Sequence, residues 1–477
     1  MNHVNSAILD ADTGWLILAC FSVLWVVLGW YWGRKATVLD EYMLAGRRIG
    51  LALGVATAMA TWVTSNTTMT APQLTLQLGV WGMLGYSLGS VGLMLFAPLT
   101  KRIKQLLPNG YTSGDFIRLR YGNGAWRVFL LISLVYAVGW LISLGMAGGV
   151  LINALTGIDY QLGMTVIITI CVLYTLLGGL RAVIGTDFIQ SLLIIVGVVA
   201  LAILTVNKVG FTRMHDTLLQ QRPELLDLLM PASIMFLFNN LLFGIGEIFH
   251  SNVWWSRAFA FRKDVGHKAY FIAGIFWVPI PIVAGFIAMA APSLHLNIPA
   301  ADMVGPMVAA NLLGITGAVL VFIVVFAALA SSLDSLLAAT GDLILQDIYK
   351  GHIKKDATDE HLQRMAKRVI LSLGLVTWLF CLPRLATLAS LLQFLGAFVA
   401  STIWPIIAGL FWSRATGKGA IAAMIGGTTI GLVAYVVVGF YVAALLSAAV
   451  SMVITLLFVK LSNEQFDWSL LNEQRSG

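Results

Sequence analysis

The chain has 477 residues, of which 59% are hydrophobic and 11% charged. A water-facing globular surface takes roughly 25% charged residues, so a soluble enzyme or binding module is excluded as the main body of this chain. The net charge of +7 sits in short loops between apolar runs, with no basic stripe and no recognition motif, which argues against nucleic acid as a partner.

The apolar runs recur from end to end and have the length of about 20 residues that crosses a bilayer. In chain order, thirteen spans are expected, roughly 15–33, 50–76, 80–99, 126–155, 162–178, 186–206 and 231–255, then 269–290, 310–345, 369–382, 385–412, 418–438 and 441–460. Asp10 and Asp12 flank the first run where a cleaved signal peptide carries basic residues, so 15–32 reads as a retained span. Runs 126–155 and 310–345 exceed a single crossing and are expected to be tilted or interrupted.

With the N-terminus outside and the spans alternating, 25 of the 29 Lys and Arg residues fall in inner loops. Lys208, Arg213, Arg222 and Arg384 fall outside. Cationic loops stay on the cytoplasmic side, so the C-terminus is expected inside. The chain therefore reads as one transmembrane domain over 1–477, all α-helical and polytopic, with lipid as a partner and the bacterial inner (plasma) membrane as its expected place. The loops are too short for a catalytic domain and no G-x-x-x-x-G-K-[ST] loop occurs. Energy must then come from an ion gradient or a partner chain, and no enzymatic activity is expected. Cys20, Cys171 and Cys381 lie inside apolar runs without paired spacing, against disulfides or zinc.

Polar groups at membrane depth mark ion or solute paths. Three stretches stand out. Residues 58–73, AMATWVTSNTTMTAPQ, hold Thr61, Thr64, Ser65, Asn66, Thr67, Thr68 and Thr70 before Pro72. Ser, Thr and Asn compete for backbone hydrogen bonds, so a discontinuous helix with a binding site at its break is expected, against plain polar helix packing. Residues 327–347 place Ala328, Ser331, Ser332 and Ser335 on one helical stripe. Small residues so spaced also serve close packing, but Asp334 beside the hydroxyls suits a hard cation. Asp342 and Asp347 are expected nearer the inner water, solvated or capping. Residues 238–257 put Glu247 near mid-span among Gly244, Gly246, His250 and Asn252. Glu247 reads as a solute contact, a proton carrier, or one half of a buried pair.

These stretches resemble the sodium/solute symporter family, which includes sodium/glucose and sodium/proline carriers, over roughly 38–415. The resemblance is carried by LDEYMLAGRRIG (39–50), GGLRAVIGTDFIQ (178–190), the Ser331-Ser332 helix ending QDIYK (346–350), and GLFWSR (409–414). It implies a LeuT-like architecture of two inverted five-helix repeats, at about 50–206 and 231–412, followed by two additional helices at 418–460. It also implies Na+ as the coupling ion. The family's main sodium site matches the carbonyls of Ala60, Val63 and Ala328 with the hydroxyls of Ser331 and Ser332. Asp187 matches an aspartate near a second cation position in some members, with Asp334 as its possible companion.

Departures narrow the solute. Gly185 stands where the family often has tryptophan, and Trp62 replaces a polar residue of the proline carrier. Glu247 aligns near a gating aromatic of the sugar carriers, whose sugar-contact asparagine aligns with Gly244, which disfavours sugar. The blocks at 108–122 and 252–262 look most like the urea-carrier branch. Thr64, Ser65, Asn66 and Thr67 of the broken helix, with Trp140, Asn240, Glu247 and Gln393, are the expected contacts of a small polar solute. The resulting expectation is sodium-coupled symport by alternating access. The rivals are proton coupling through Glu247 or Asp334, and a solute channel or membrane sensor.

Overall fold

The computed structural model describes residues 8–34, 38–384 and 386–473. Lys35 and Arg475, both counted among the inner charges, lie outside the described residues. The protein is all-helical, with no strand among the described residues beyond an isolated bridge between Ile49 and Phe261.

Ten segments among the described residues are long and apolar enough to cross a membrane. The sequence expectation of thirteen differs from this at three places, each with a local cause. The run at 50–76 is two helices, Leu51–Trp62 and Ser65–Leu78, each shorter than a crossing. The runs at 162–178 and 186–206 form one segment, Tyr160–Val209, bent at Gly179 (φ 55°, ψ −148°). There the missing side chain matters twice: φ is left-handed, and a Cβ would meet the carbonyl oxygen of Tyr42 at 2.6 Å. The run at 369–382 is the apolar end of Asp359–Cys381, whose first half is charged.

Of the two long runs, 310–345 is interrupted near its start, while 126–155 is unbroken and the kink of its helix falls just before it. Ser113–Thr156 has Gly122 at φ 83°, and Val304–Leu343 has Gly314 at φ 60° before it runs on into the π-helical Ile344–Ile353. The outer helices present Leu16, Val23, Val196, Ile203, Leu375 and Val436 to their surroundings, all at least half exposed. In water this surface would associate; against lipid chains it is matched. The interior is the polar part. Thr57, Thr61, Asn66, Asp187, Glu247, Arg257, Ser331, Asp334 and Ser335 are all buried, which places the chemistry on the axis of the bundle.

Three charged residues depart from expectation. Asp342 and Asp347 are not solvated but 4% and 1% exposed. The first turn of Ser113–Thr156 packs over Asp347, which accepts from Thr112 Oγ1 at 2.6 Å and Trp126 Nε1 at 2.9 Å. Arg257, counted among inner-loop cations, lies in the helix Asn252–Ala260 and is fully buried.

Candidate functional site

The break in the first polar stretch is made by two threonines. Helix Leu51–Trp62 stops at Val63 (ψ 86°), and Ser65–Leu78 starts again from Thr64. The Thr67 amide donates to Thr64 Oγ1 at 3.1 Å, and the Thr64 amide donates to Thr67 Oγ1 at 3.2 Å. This reciprocal cap satisfies amides that would otherwise be orphaned at a helix start. It also changes what the carbonyls do. In an unbroken helix the Thr64 amide would bond the Ala60 carbonyl and the Thr67 amide the Val63 carbonyl. Both amides are diverted, so the Ala60 and Val63 oxygens lose those partners.

The carbonyls between them are taken. The oxygen of Thr61 accepts from Ser332 Oγ at 3.1 Å, and that of Trp62 accepts from Trp277 Nε1 at 2.8 Å and Thr67 Oγ1 at 3.2 Å. The facing helix brings Ser332 Oγ to 2.9 Å from the Ala328 carbonyl, while Ser331 Oγ donates to Asp187 Oδ1 at 2.5 Å. Ser332 and the Ala328 carbonyl thus stand against the break at Thr61, and Ser331 beside them on the same helix is held by Asp187, all through neutral oxygens on the helix side. That is the donor chemistry a hard monovalent cation takes.

Asp187 and Asp334 differ in environment. Asp187 is fully buried and saturated: Oδ2 accepts from Thr57 Oγ1 at 2.5 Å and pairs with Arg257 Nη2 at 3.3 Å, and Oδ1 holds Ser331. Arg257 stands where the sequence reading put a second cation. Asp334 is equally buried, and neither of its oxygens has a hydrogen-bond partner among the described residues. The nearby Tyr174 hydroxyl donates instead to the Ala330 carbonyl at 2.9 Å.

Beside the break lies a small aromatic cavity, walled by Trp62, Tyr86, Trp140, Phe243 and Trp277, with Thr64, Asn66, Thr67 and Asn240 as its polar lining. Trp62 meets Trp140 edge-on with centroids 5.9 Å apart, and Trp277 stacks on Tyr86 at 6.1 Å. The space open to the centre of a water-sized sphere is about 10 Å³, close to that of one water. Three donors on its walls, Asn66 Nδ2 and the indole N–H groups of Trp62 and Trp140, have no partner among the described residues. Buried donors left open are costly, so three such groups on residues around one cavity are an unusual concentration of unspent hydrogen-bonding capacity.

The sodium:solute symporter family profile matches residues 42–427. This chain belongs to that family. The chain is 27% identical over 437 residues to the urea-proton symporter DUR3 of Oryza sativa subsp. japonica, a match covering 84% of this chain and 61% of the relative. It thus spans about three fifths of that relative's length. It is also 27% identical over 434 residues to the osmoregulated proline transporter OpuE of Bacillus subtilis, covering 86% of each chain. Among solved structures it superimposes on a Na+-coupled sialic acid symporter in a substrate-bound outward-open state with a TM-score of 0.78. That match has 19% identity and covers 95% of this chain and 98% of the other. A nucleobase-cation-symport-1 family transporter in a closed conformation gives a TM-score of 0.60 at 14% identity, covering 90% of this chain and 96% of the other. At such identities these neighbours show the fold. The family is one of sodium:solute symporters.

Within the symporter, the expected solute residues divide. Thr64, Asn66, Thr67, Trp140 and Asn240 line the cavity. Ser65, Glu247 and Gln393 do not. Ser65 is buried in the first turn after the break. Glu247 lies one ring further in, its two oxygens sharing the one N–H of Trp254 Nε1 at 3.1 and 2.9 Å, and Trp254 abuts Trp62 edge-on at 5.5 Å. Gln393 accepts from Asn239 Nδ2 at 2.8 Å and donates to Asn240 Oδ1 at 3.2 Å, while Asn240 Nδ2 donates to the carbonyls of Gly85 and Tyr86. That chain ties three helical segments together, and Leu392 takes the cavity position next to it. Sequence reasoning missed Tyr86, Phe243 and Trp277 because aromatic residues in apolar runs look like ordinary core.

Proposed function

We propose that this protein is a sodium-coupled symporter of a small, planar, carbonyl-bearing solute, with urea the first to test. The observation that supports the sodium half is the Thr64–Thr67 cap, which diverts the amides that would bond the Ala60 and Val63 carbonyls, with Ser332 bonded to the neighbouring Thr61 carbonyl. Sodium bound there would bridge the broken helix and the Ser331 helix and favour the outward-open, solute-competent state. An inward potential adds about 2.3 kcal/mol per charge per 100 mV. Coupling requires sodium and solute each to raise the other's affinity by the same factor.

The solute half rests on donors. A cavity of about one water's volume must widen to admit any solute, and the three unpaired N–H groups on its lining residues favour an acceptor. Three relatives carry urea in their names, one each from rice and two yeasts. The proposal includes the two inverted repeats at 50–206 and 231–412, the added helices at 418–460, thirteen crossings, and an inner-membrane setting with the N-terminus outside. The broken helices at 63–64 and at Ser251 stand at corresponding places near the start of each half.

Two observations favour a second reading, proton coupling: Asp334 is buried with no hydrogen-bond partner among the described residues, and the rice relative is named a urea-proton symporter. The deciding experiment is thermal stability of the purified protein across small amides, amino acids and sugars, in sodium or in potassium. Ligand binding to the folded state raises apparent stability by mass action. A urea-specific shift seen only in sodium supports the first reading. A urea shift indifferent to sodium, with uptake that collapses with the pH gradient, moves the assignment to protons. Uptake that neither saturates nor accumulates would indicate a channel.

A further inference from the structure

The half-helix Asn252–Ala260 carries a guanidinium into the middle of the protein. Arg257 is 0% exposed, and its fork bonds three other segments at once. Nε donates to Thr57 Oγ1 at 3.0 Å, and Nη2 donates to Thr61 Oγ1 at 2.7 Å and Ser335 Oγ at 2.6 Å. Nη2 also reaches Asp187 Oδ2 at 3.3 Å, and Nη1 bonds the Val253 carbonyl of its own helix at 3.2 Å. Lysine could not reproduce this, because an ammonium is a point charge without the planar fork.

The bonds converge on one atom. Thr57 Oγ1 receives from Arg257 Nε and itself donates to Asp187 Oδ2 at 2.5 Å. Oδ2 is therefore held by Arg257 twice, once directly and once through Thr57. The carboxylate cannot turn, and its other oxygen, Oδ1, is left to accept from Ser331 Oγ. A serine hydroxyl has one proton and two lone pairs. It can give its lone pairs to a cation only when the proton is turned elsewhere.

We propose that Arg257 is a positioning residue for the coupling ion. By fixing Asp187 it turns the Ser331 proton away from the break and offers the Ser331 lone pairs to sodium. Arg257 does not touch the ion; it acts through Asp187, and the same contacts tie the half-helix Asn252–Ala260 to the sodium-binding segments. The proposal rests on the sodium reading and is tested separately from it.

The test titrates sodium at constant ionic strength against thermal stability of the full-length protein, and urea affinity at saturating sodium alongside it. In Arg257→Gln the sodium half-saturation is expected to rise at least about tenfold, the size of one charge-assisted hydrogen bond. Urea affinity at saturating sodium should stay within about twofold of the parent. Thr57→Val, which removes the bridging hydroxyl without removing a charge, should shift sodium about threefold in the same direction. Should Arg257→Gln fail to fold, Thr57→Val decides by the same criterion. An unchanged sodium half-saturation in folded variants overturns the proposal. So does a parallel loss of sodium and urea affinity, which marks a merely structural arginine. A parent protein indifferent to sodium overturns the sodium reading itself, and this proposal with it.

Discussion

Replacing Thr67 with valine is nearly isosteric, and it tests the break in the first polar stretch most directly. The substitution deletes one oxygen that does two things: it accepts the Thr64 amide at 3.2 Å and donates to the Trp62 carbonyl at 3.2 Å. Loss of a capping side chain costs about 1 kcal/mol. A buried amide left unpaired costs about 1–3 kcal/mol more, and Thr67 is 1% exposed, so water cannot step in cheaply. The released Thr64 amide has one ready acceptor, the Ala60 carbonyl one helical turn back. Taking it would extend the helix and withdraw a proposed sodium ligand. A loss of about 1–2 kcal/mol corresponds to a rise in sodium half-saturation of roughly 5–30-fold. The assay is the sodium titration of thermal stability, with Thr67→Ser as the control that restores the hydroxyl and should restore sodium affinity. If Thr67→Val lowers overall stability while sodium half-saturation stays within about twofold, the cap holds the helix but does not free the carbonyls. The reasoning would then be wrong.

Ser332→Ala should raise the sodium requirement sharply in uptake assays, since it removes a hydroxyl lying between the Ala328 and Thr61 carbonyls; unchanged sodium dependence would remove it from the ligand set. Trp140→Phe deletes an unpaired indole N–H on the cavity wall, and urea affinity should fall by about tenfold if that group donates to the solute. An unchanged affinity would leave Trp140 as wall only. Gly244→Ala should destabilise the protein by about 1–3 kcal/mol, because the added Cβ would lie 2.5 Å from the Gly89 Cα and 2.7 Å from its oxygen, and backbone cannot retreat as a side chain can. Thermal unfolding in detergent reads this, and a parent-like transition would show that the helices can part.

Much of the fold was legible before any coordinates. The length of the apolar runs and the position of the polar stretches follow from local chemistry: a bilayer accepts an uninterrupted apolar helix, and a Thr/Ser/Asn cluster inside one makes that helix break. The helix stripe of Ala328, Ser331 and Ser332 was legible for the same reason, since residues three and four apart share a face whatever surrounds them. Resemblance to a family then matched that stripe to Ala60 and Val63.

What the sequence could not give depended on which segments meet. Arg257 read as one more inner-loop cation, and only the packing of Asn252–Ala260 against Asp187 and Ser335, residues 70 and 78 positions away, made it a buried counter-charge. Glu247 and Gln393 read as solute contacts because polar residues at membrane depth invite that role, yet in the fold they stand outside the cavity, Glu247 bonded to Trp254 and Gln393 to the Asn239–Asn240 pair. Tyr86, Phe243 and Trp277 were invisible for the opposite reason, an aromatic ring in an apolar run being ordinary core until its neighbours leave a space beside it. Periodicity and polarity are local and survive without a fold. Hydrogen-bond satisfaction is a property of pairs, and for these residues the partners lie far apart in the chain and meet only in the folded protein.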